Sequence, residues 1–507
     1  MKGSGSLRKV EQNTSSRLQI RIQNFRLFRD SGWIELDPLT CVVGRNSSGK
    51  SSFVFALLLL KQSIEKKVFG STITPLALSG DYCDLGQFSD LVYEHSKTCK
   101  LIYSFRLPFS IPDEGLAYRG TPIVEPATGR SFRPRSDLYF LSLPERARIR
   151  KRTVEVSLTF SEDQPYGPSL SRCEMSIGGV GSVTFVRTIR GERRPHWRTY
   201  SPEDSVFRAL RFQPTTRLFF PQIVPRRKTY RKITSGERSR LFQMLQGGRT
   251  FFEYLEGLLR GSEMIGPFRQ PPERRYAFAG FGANKIGPSG EQAIDLLITE
   301  ALIRKDASKP LISAVAYWLR ALKLADSFRI KDVAKRLNLF EVDLRQPGGR
   351  LRSNLVDVGF GISQVLPVIV QGLLMRRGGI YLVQEPEIHL HPDAQAELAD
   401  FFLYLACQGV TCIVETHSEY LLLRLRRRLA EARGPLRSVV PRLNGPLKRA
   451  TEGDVSVLVA QHSGTEATIT KLQIGKAFQF ENLPPGFMSQ ATIDRMQLLK
   501  AVSKRNG

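Results

Sequence analysis

Apolar and polar positions alternate from Arg17 to Phe28, with Leu18, Ile20 and Ile22 on one side, and Trp33-Ile34-Glu35-Leu36 follows the Asp30-Ser31-Gly32 turn. A period of two sends successive side chains to opposite faces, so this stretch predicts strands of a small antiparallel layer. Leu39-Thr40-Cys41-Val42-Val43 is almost continuously apolar and ends at Gly44, the pattern of a buried strand feeding a tight loop. From Lys50 to Lys61 there is no Gly or Pro and apolar residues face nearly all round, which predicts a buried helix. Between about Arg106 and Ser308 Pro and Gly recur, basic runs appear and helical stretches such as Phe251 to Arg260 alternate with loops; the expectation is an insertion or lid. Helical spacing returns from Leu311 to Leu337, with Pro310 as a start signal. Then come a helix (Leu366 to Met375), a strand (Ile380 to Val383), a helix (Pro392 to Leu405), a strand (Thr411 to Val414) and a helix (Glu419 to Glu431). Strand and helix alternating over short connections predict a parallel sheet covered by helices.

Composition bounds the class. The 507 residues are 41% hydrophobic and 24% charged, as in globular chains, and allow a large core. Lys and Arg number 75 against 48 Asp and Glu, a net charge of +27, so the surface attracts polyanions. Nucleic acid is one explanation of that excess; an Arg-rich genome or a solubility requirement is the other. Arg146, Arg148, Arg150, Lys151 and Arg152 form one basic cluster, and Arg226, Arg227, Lys228, Arg231 and Lys232 with Tyr230 form a second. Arg424, Arg426, Arg427 and Arg428 form a third; each run reads as phosphate contact or equally as a solvated face, and the third also as a partner for acids of a neighbouring subunit. No apolar run is long enough to span a bilayer, and Met1 to Leu18 lacks the apolar segment of a secretory signal. The six cysteines lie without CxxC spacing, which predicts buried reduced thiols in a cytoplasmic protein.

Four segments carry candidate chemistry. Gly44-Arg45-Asn46-Ser47-Ser48-Gly49-Lys50-Ser51 is an intact GxxxxGK[ST] between a predicted strand and a predicted helix. Its glycines let backbone N–H groups face a phosphate, Lys50 reaches the β and γ oxygens, and Ser51 offers a hydroxyl to Mg²⁺. The residues expected to bind nucleotide here are Gly44, Asn46, Ser48, Gly49, Lys50, Ser51 and Ser52. Ile380-Tyr381-Leu382-Val383-Gln384-Glu385-Pro386-Glu387 is an apolar strand with acids at its carboxyl end, where open parallel sheets bind ligands. Taken alone, Glu385 and Glu387 read better as acids opening the next helix; beside an intact phosphate loop the preference reverses, and Glu385 is placed to polarise a water there. Thr416-His417-Ser418 follows the next strand and brings an imidazole to the same edge. His389 and His391 read as packing and orienting residues rather than a metal cluster. Asp357-Val358-Gly359-Phe360-Gly361-Ile362-Ser363-Gln364 precedes an apolar helix: a second anion-binding end, or an ordinary glycine turn with a serine cap.

The order of phosphate loop, Gly-x-Ser signature, Glu-Pro-Glu with His389-Leu390-His391-Pro392, and Thr-His-Ser resembles the AAA-type ATPases of the ABC/SMC-like branch. That branch includes the OLD-family ATPases and those of the Septu and retron phage-defence systems. Asn24-Phe25, Leu57 to Ser63, Glu415-Thr416-His417-Ser418-Glu419-Tyr420 and the tail Leu483-Pro484-Pro485-Gly486-Phe487 add to the likeness, which covers residues 17 to 105 and 350 to 500. It implies an α/β P-loop NTPase head with a mostly parallel sheet, an N-terminal antiparallel layer and a large inserted region. The expected divisions are 1–105 and 309–433 for the two parts of the head, 106–308 for the insertion and 434–507 for a small C-terminal domain.

The resemblance further implies a homodimer or higher oligomer closing around ATP and Mg²⁺. Lys50 and Ser51 of one subunit would face the Gly361–Ser363 loop of the other. Glu385 would be the catalytic carboxylate and His417 the γ-phosphate sensor, with Ser51, Gln384 and Gln87 near the metal. Such proteins usually carry an acid immediately before the catalytic carboxylate; here it is Gln384, whose amide oxygen adds no charge, so turnover is expected to be slow. No clustered acidic set follows Arg433, so no nuclease site is expected in this chain. The expected role is the ATPase of an anti-phage system that contacts nucleic acid and controls an effector nuclease or toxin. The competing readings are an ATP-dependent scaffold that hardly hydrolyses, a DNA-maintenance ATPase, and a nucleic-acid-binding protein with a vestigial loop.

Overall fold

A computed structural model describes residues 17–65, 76–96, 99–112, 116–119, 123–124, 131–132, 139–142, 149–162, 167–188, 196–201, 205–213, 222–225, 234–278, 280, 285–303, 309–334, 337–431, 452–475 and 480–481. The second basic cluster, Arg146 and Arg148 of the first, and the Leu483–Phe487 tail lie outside the described residues.

Two large sheets organise the chain. The antiparallel one has eight strands, in the order His196–Tyr200, Gly181–Thr188, Ser169–Ile177, Ile149–Ser161, Leu101–Pro112, Gln19–Phe25, Phe28–Asp30, with Ile34–Glu35 also paired to Gln19–Phe25. The second has six strands, in the order Glu263–Ile265, Ile380–Gln384, Thr411–Glu415, Leu39–Gly44, Val455–Ser463, Glu466–Lys471; every pair is parallel except the last. The architecture is therefore α/β, a mostly parallel sheet beside an antiparallel layer. Strand pairing runs across the divisions expected at 105/106 and 433/434, because Leu101–Pro112 is one strand and Val455–Ser463 lies directly against the strand that feeds the phosphate loop.

The period of two divides the parallel strands between two cores. Val42, Ile380, Leu382, Ile413 and Leu458 face the antiparallel sheet across the helix Lys50–Glu65. Cys41, Val43, Tyr381, Val383, Cys412, Val414 and Val457 face the helices Pro310–Ala321, Phe360–Leu374, Pro392–Cys407 and Glu419–Ala430. Lys50–Glu65 is thus sandwiched, which explains why it is apolar nearly all round. Cys41, Cys83, Cys173 and Cys412 are buried free thiols.

Two helices differ from the sequence reading. The helical spacing from Leu311 to Leu337 ends at Ala321; Lys323 turns to a positive φ of 59°, and Ser327–Ala334 is a strand. Phe328 and Ile330 alternate with charged neighbours, and pairing with Leu339–Arg345 favours the period of two over the helical one. The helix expected over Phe251 to Arg260 begins much earlier, at Ser235, behind a capping box formed by Thr234 and Glu237. Gly247 and Gly248 are packing residues inside it, since a Cβ on Gly247 would come 2.5 Å from Ile177 Cδ1.

Candidate active site

The phosphate loop takes its shape from two glycines and the strands beneath it. Gly44 ends its strand at φ 149°, and a Cβ there would stand 2.4 Å from the carbonyl oxygen of Ala460 on the neighbouring strand. Gly49 turns into the helix at φ 102°, with Phe28 and Ala467 packed against it. Both are backbone conformations that L side chains avoid. Arg45, Asn46 and Ser47 are exposed at the tip, whereas Ser48, Lys50 and Ser52 are buried. Lys50 Nζ folds back and donates to the carbonyls of Gly44 (3.1 Å) and Arg45 (2.8 Å). Burial pushes its ammonium below the ordinary lysine range, against the opposing charges of Glu415 and Glu385.

Ser51 lies in the first turn of the helix and donates to Glu415 Oε1 at 2.8 Å; Gln384 Nε2 donates to Glu415 Oε2 at 2.6 Å. The parallel register sets Gln384 directly beside Glu415 at the carboxyl ends of adjacent strands. Two residues far apart in sequence, Ser51 and Gln384, thereby converge on the buried Glu415 carboxylate, 2% exposed. Glu385 follows in a left-handed conformation (φ 45°), which costs a non-glycine residue about 1 kcal/mol and persists only where surroundings enforce it. Its amide donates to the Glu415 carbonyl at 2.7 Å, and its half-buried carboxylate stands 4.0 Å from His417 Nε2. Behind it, Glu387 Oε1 accepts from Thr416 Oγ1 (2.8 Å) and the His417 amide (2.6 Å). Burial raises the Glu387 carboxyl above the usual range, opposed by those two bonds. His391 caps the helix Pro392–Cys407 through the Asp393 amide.

Arg269 belongs to the site although sequence reasoning passed over it. Its Nη2 donates to the carbonyls of Gln384 (2.7 Å) and Glu385 (3.1 Å). Successive carbonyls of an extended strand point in opposite directions, so one guanidinium gathers both only because Glu385 leaves the strand conformation. Arg269 is buried, which pushes its guanidinium down to about 10 against the nearby Tyr381, Glu387 and Glu385. The only sequence signal was an arginine inside the apolar, turn-rich Met264-Ile265-Gly266-Pro267-Phe268 context.

The remaining expected residues lie elsewhere. Gln87 is the N-cap of the short helix Phe88–Leu91, its amide donating to Asp90 Oδ2, and no hydrogen bond among the described residues joins it to Ser51 or Gln384. Gly361 and Ser363 lie in the first turns of the helix Phe360–Leu374; Ser363 Oγ donates to the Phe360 carbonyl and is 5% exposed. A Cβ on Gly361 would meet the His389 carbonyl at 2.6 Å, so this glycine lets the helix approach the Glu387–His391 turn. Within one chain this helix start does not share hydrogen bonds with the phosphate loop among the described residues. The third basic cluster is paired inside the chain: Arg424 with Glu397 and Asp400, Arg428 with Asp400 and Glu431, Arg427 with Glu431. Within the chain, acids of the adjacent helix neutralise Arg424 and Arg428, and Glu431 at the end of their own helix pairs with Arg427.

The donor set suits magnesium nucleotide. Ser48 Oγ is buried in the loop without a hydrogen-bond partner, and Ser51, Gln384 and Glu415 present oxygen atoms, the ligands hard cations take. Lys50 is positioned to exchange its carbonyl partners for phosphate oxygens, and Glu385 with His417 borders the same edge.

The AAA ATPase domain family matches residues 18–142, and the family described as AAA domain, putative AbiEii toxin, Type IV TA system matches residues 247–424. No curated protein sequence matches significantly. Among solved structures, the chain is similar to an SMC head bound to the C-winged helix domain of ScpA (12% identity, 91% of this chain and 99% of that one, TM-score 0.38). It is also similar to the SMC head domain from Thermotoga maritima (10%, 91% and 100%, TM-score 0.33). A third is the Smc head domain with an extended coiled coil bound to the C-terminal domain of ScpA from Pyrococcus furiosus (10%, 96% and 98%, TM-score 0.35). Overlap this loose carries no assignment. No described helix is long and apolar enough to cross a membrane. One match covers the phosphate loop and the other the strand ending at Gln384, so both halves of the parallel sheet edge are similar to AAA-type ATPase domains.

Proposed function

We propose that the chain binds Mg–ATP at this sheet edge and hydrolyses it, with Lys50 and Ser51 holding the phosphates and cation. Glu385 orients the attacking water and accepts its proton, while His417 contacts the γ-phosphate side. The observation that carries this reading is the convergence of Ser51, Gln384, Glu415, Glu385 and His417 at the ends of two adjacent parallel strands beside the phosphate loop. Two copies close over the nucleotide, each offering its Gly361–Ser363 helix start to the other's site, and the nucleotide state is passed to a separate effector in antiviral defence. The AbiEii-type description of the matched family supports that setting. Steady-state turnover tests the assignment: Glu385→Gln is expected to lower kcat by at least about 100-fold with nucleotide still bound, and Lys50→Ala to lose nucleotide binding. A Glu385→Gln protein that hydrolyses ATP at the native rate refutes it. The neutral Gln384 favours a second reading, a nucleotide-gated scaffold with little turnover; bound ATP recovered intact after many hours with native protein would establish that instead.

A further inference from the structure

We propose that Glu415 is the carboxylate that binds the nucleotide's divalent cation, supplying from the neighbouring strand the negative charge that residue 384 lacks. The inference rests on the reading of this edge as a magnesium-nucleotide site. Of the oxygen donors gathered at the start of the phosphate-loop helix, Ser51 and Gln384 are neutral, and a hard dication taken into a buried site requires compensating negative charge. Glu415 is the charged member of that set, with both carboxylate oxygens engaged: Ser51 Oγ donates to Oε1 and Gln384 Nε2 to Oε2.

The nearby acids are otherwise committed. Glu385 faces His417, and Glu387 accepts from Thr416 and the His417 amide behind the strand ends. The register makes the substitution possible. Residues 384 and 415 are direct partners in the parallel pair, so a carboxylate moved from one strand end to the other keeps nearly the same location. Gln384 then holds the carboxylate through Nε2 while its Oε1 stays available as an acceptor. With a cation bound, Ser51 Oγ and Glu415 Oε1 would hold it in place of the hydrogen bond they now share. No covalent bond is made or broken in the protein.

A metal-binding measurement on the full chain tests this directly. Mn²⁺ binding in the presence of ADP is read from the free-ion electron paramagnetic resonance signal, and ADP binding in EDTA is measured in parallel. Glu415→Gln is expected to weaken Mn²⁺ binding by about 10- to 100-fold, the range typical of losing a group that sets metal affinity. ADP binding in EDTA should stay within about threefold of native, since it does not use the carboxylate–metal contact. The charge swap Gln384→Glu with Glu415→Gln is expected to recover Mn²⁺ affinity to within about fivefold of native, because it restores one carboxylate to the pair. It also keeps the buried charge count if the single variant folds poorly. Native Mn²⁺ affinity in Glu415→Gln, or a folded swap as weak as the single variant, overturns the proposal. If the native chain binds no nucleotide, the ATPase reading fails and this assignment falls with it; nucleotide binding with metal affinity indifferent to residue 415 sinks the assignment alone.

Discussion

The ends of the strands Ile380–Gln384 and Thr411–Glu415 carry two groups of charged side chains, satisfied in opposite ways. Around Glu415 every oxygen has a donor, and the partners are a hydroxyl and an amide that can exchange it for a cation. One step behind, Arg269 and Glu387 are both buried, yet Arg269 Nε and Nη1 and Glu387 Oε2 have no hydrogen-bond partner. Unmet buried polar atoms are costly and in native proteins call for a reason. Here the geometry provides one: Arg269 fixes the carbonyls on either side of the left-handed Glu385, and Glu387 fixes the amide of His417. The outer group is built to exchange partners and the inner group to hold the backbone that aims the reactive side chains.

The contrast breaks most visibly at Arg269. Arg269→Met is expected to lower kcat by about 100-fold through misplacement of Glu385 while nucleotide affinity changes by less than about threefold. In the double variant with Glu385→Gln the second change should add little, since both act on one group; parallel losses in binding and turnover would instead make Arg269 a general support. Glu387 gives a smaller, pH-dependent effect. Its carboxyl is raised in the folded state from an ordinary 4.5, so its contribution favours folding most fully below that value and is lost as pH rises through the folded-state value. Glu387→Gln is therefore expected to be as stable as native or about 1 kcal/mol more stable at pH 8, the gap closing toward pH 4.5, as read by urea denaturation. The smallest effect is expected in the paired arginines. Arg428→Ala should cost about 1 kcal/mol from its partly exposed pairing with Asp400 and leave single-stranded DNA binding, followed by fluorescence anisotropy, unchanged.

Much of the fold was legible because its signals are local. The phosphate loop has a fixed spacing of glycines, lysine and serine, and the flanking strand and helix announce themselves by apolar runs of opposite period. The same logic failed from Lys323 to Ala334, where Phe328 and Ile330 fit a helical spacing on paper and a strand in the presence of Leu339–Arg345. It also missed the start of the helix at Ser235, because Gly247 and Gly248 look like breakers until the side chains that fill their space are known. The region from 149 to 188 read as an insertion, yet its strands extend the antiparallel sheet, since Ile149–Ser161 pairs with Leu101–Pro112, which in turn pairs with the distant strand Gln19–Phe25.

The candidate site divides in the same way. By itself the sequence determined which side chains were available: a phosphate-binding loop, a Gln-Glu pair closing one strand, an imidazole after the next. Tertiary structure decided which of them meet. That Glu415 lies beside Gln384 follows from strand order and register, and that Arg269 reaches the two carbonyls flanking Glu385 follows from the pairing of the strand just before it, Glu263–Ile265, with Ile380–Gln384. Periodicity along a chain states which way each side chain points, but not which strand will stand alongside; that choice is made by the burial of two cores at once, a property of the whole sheet.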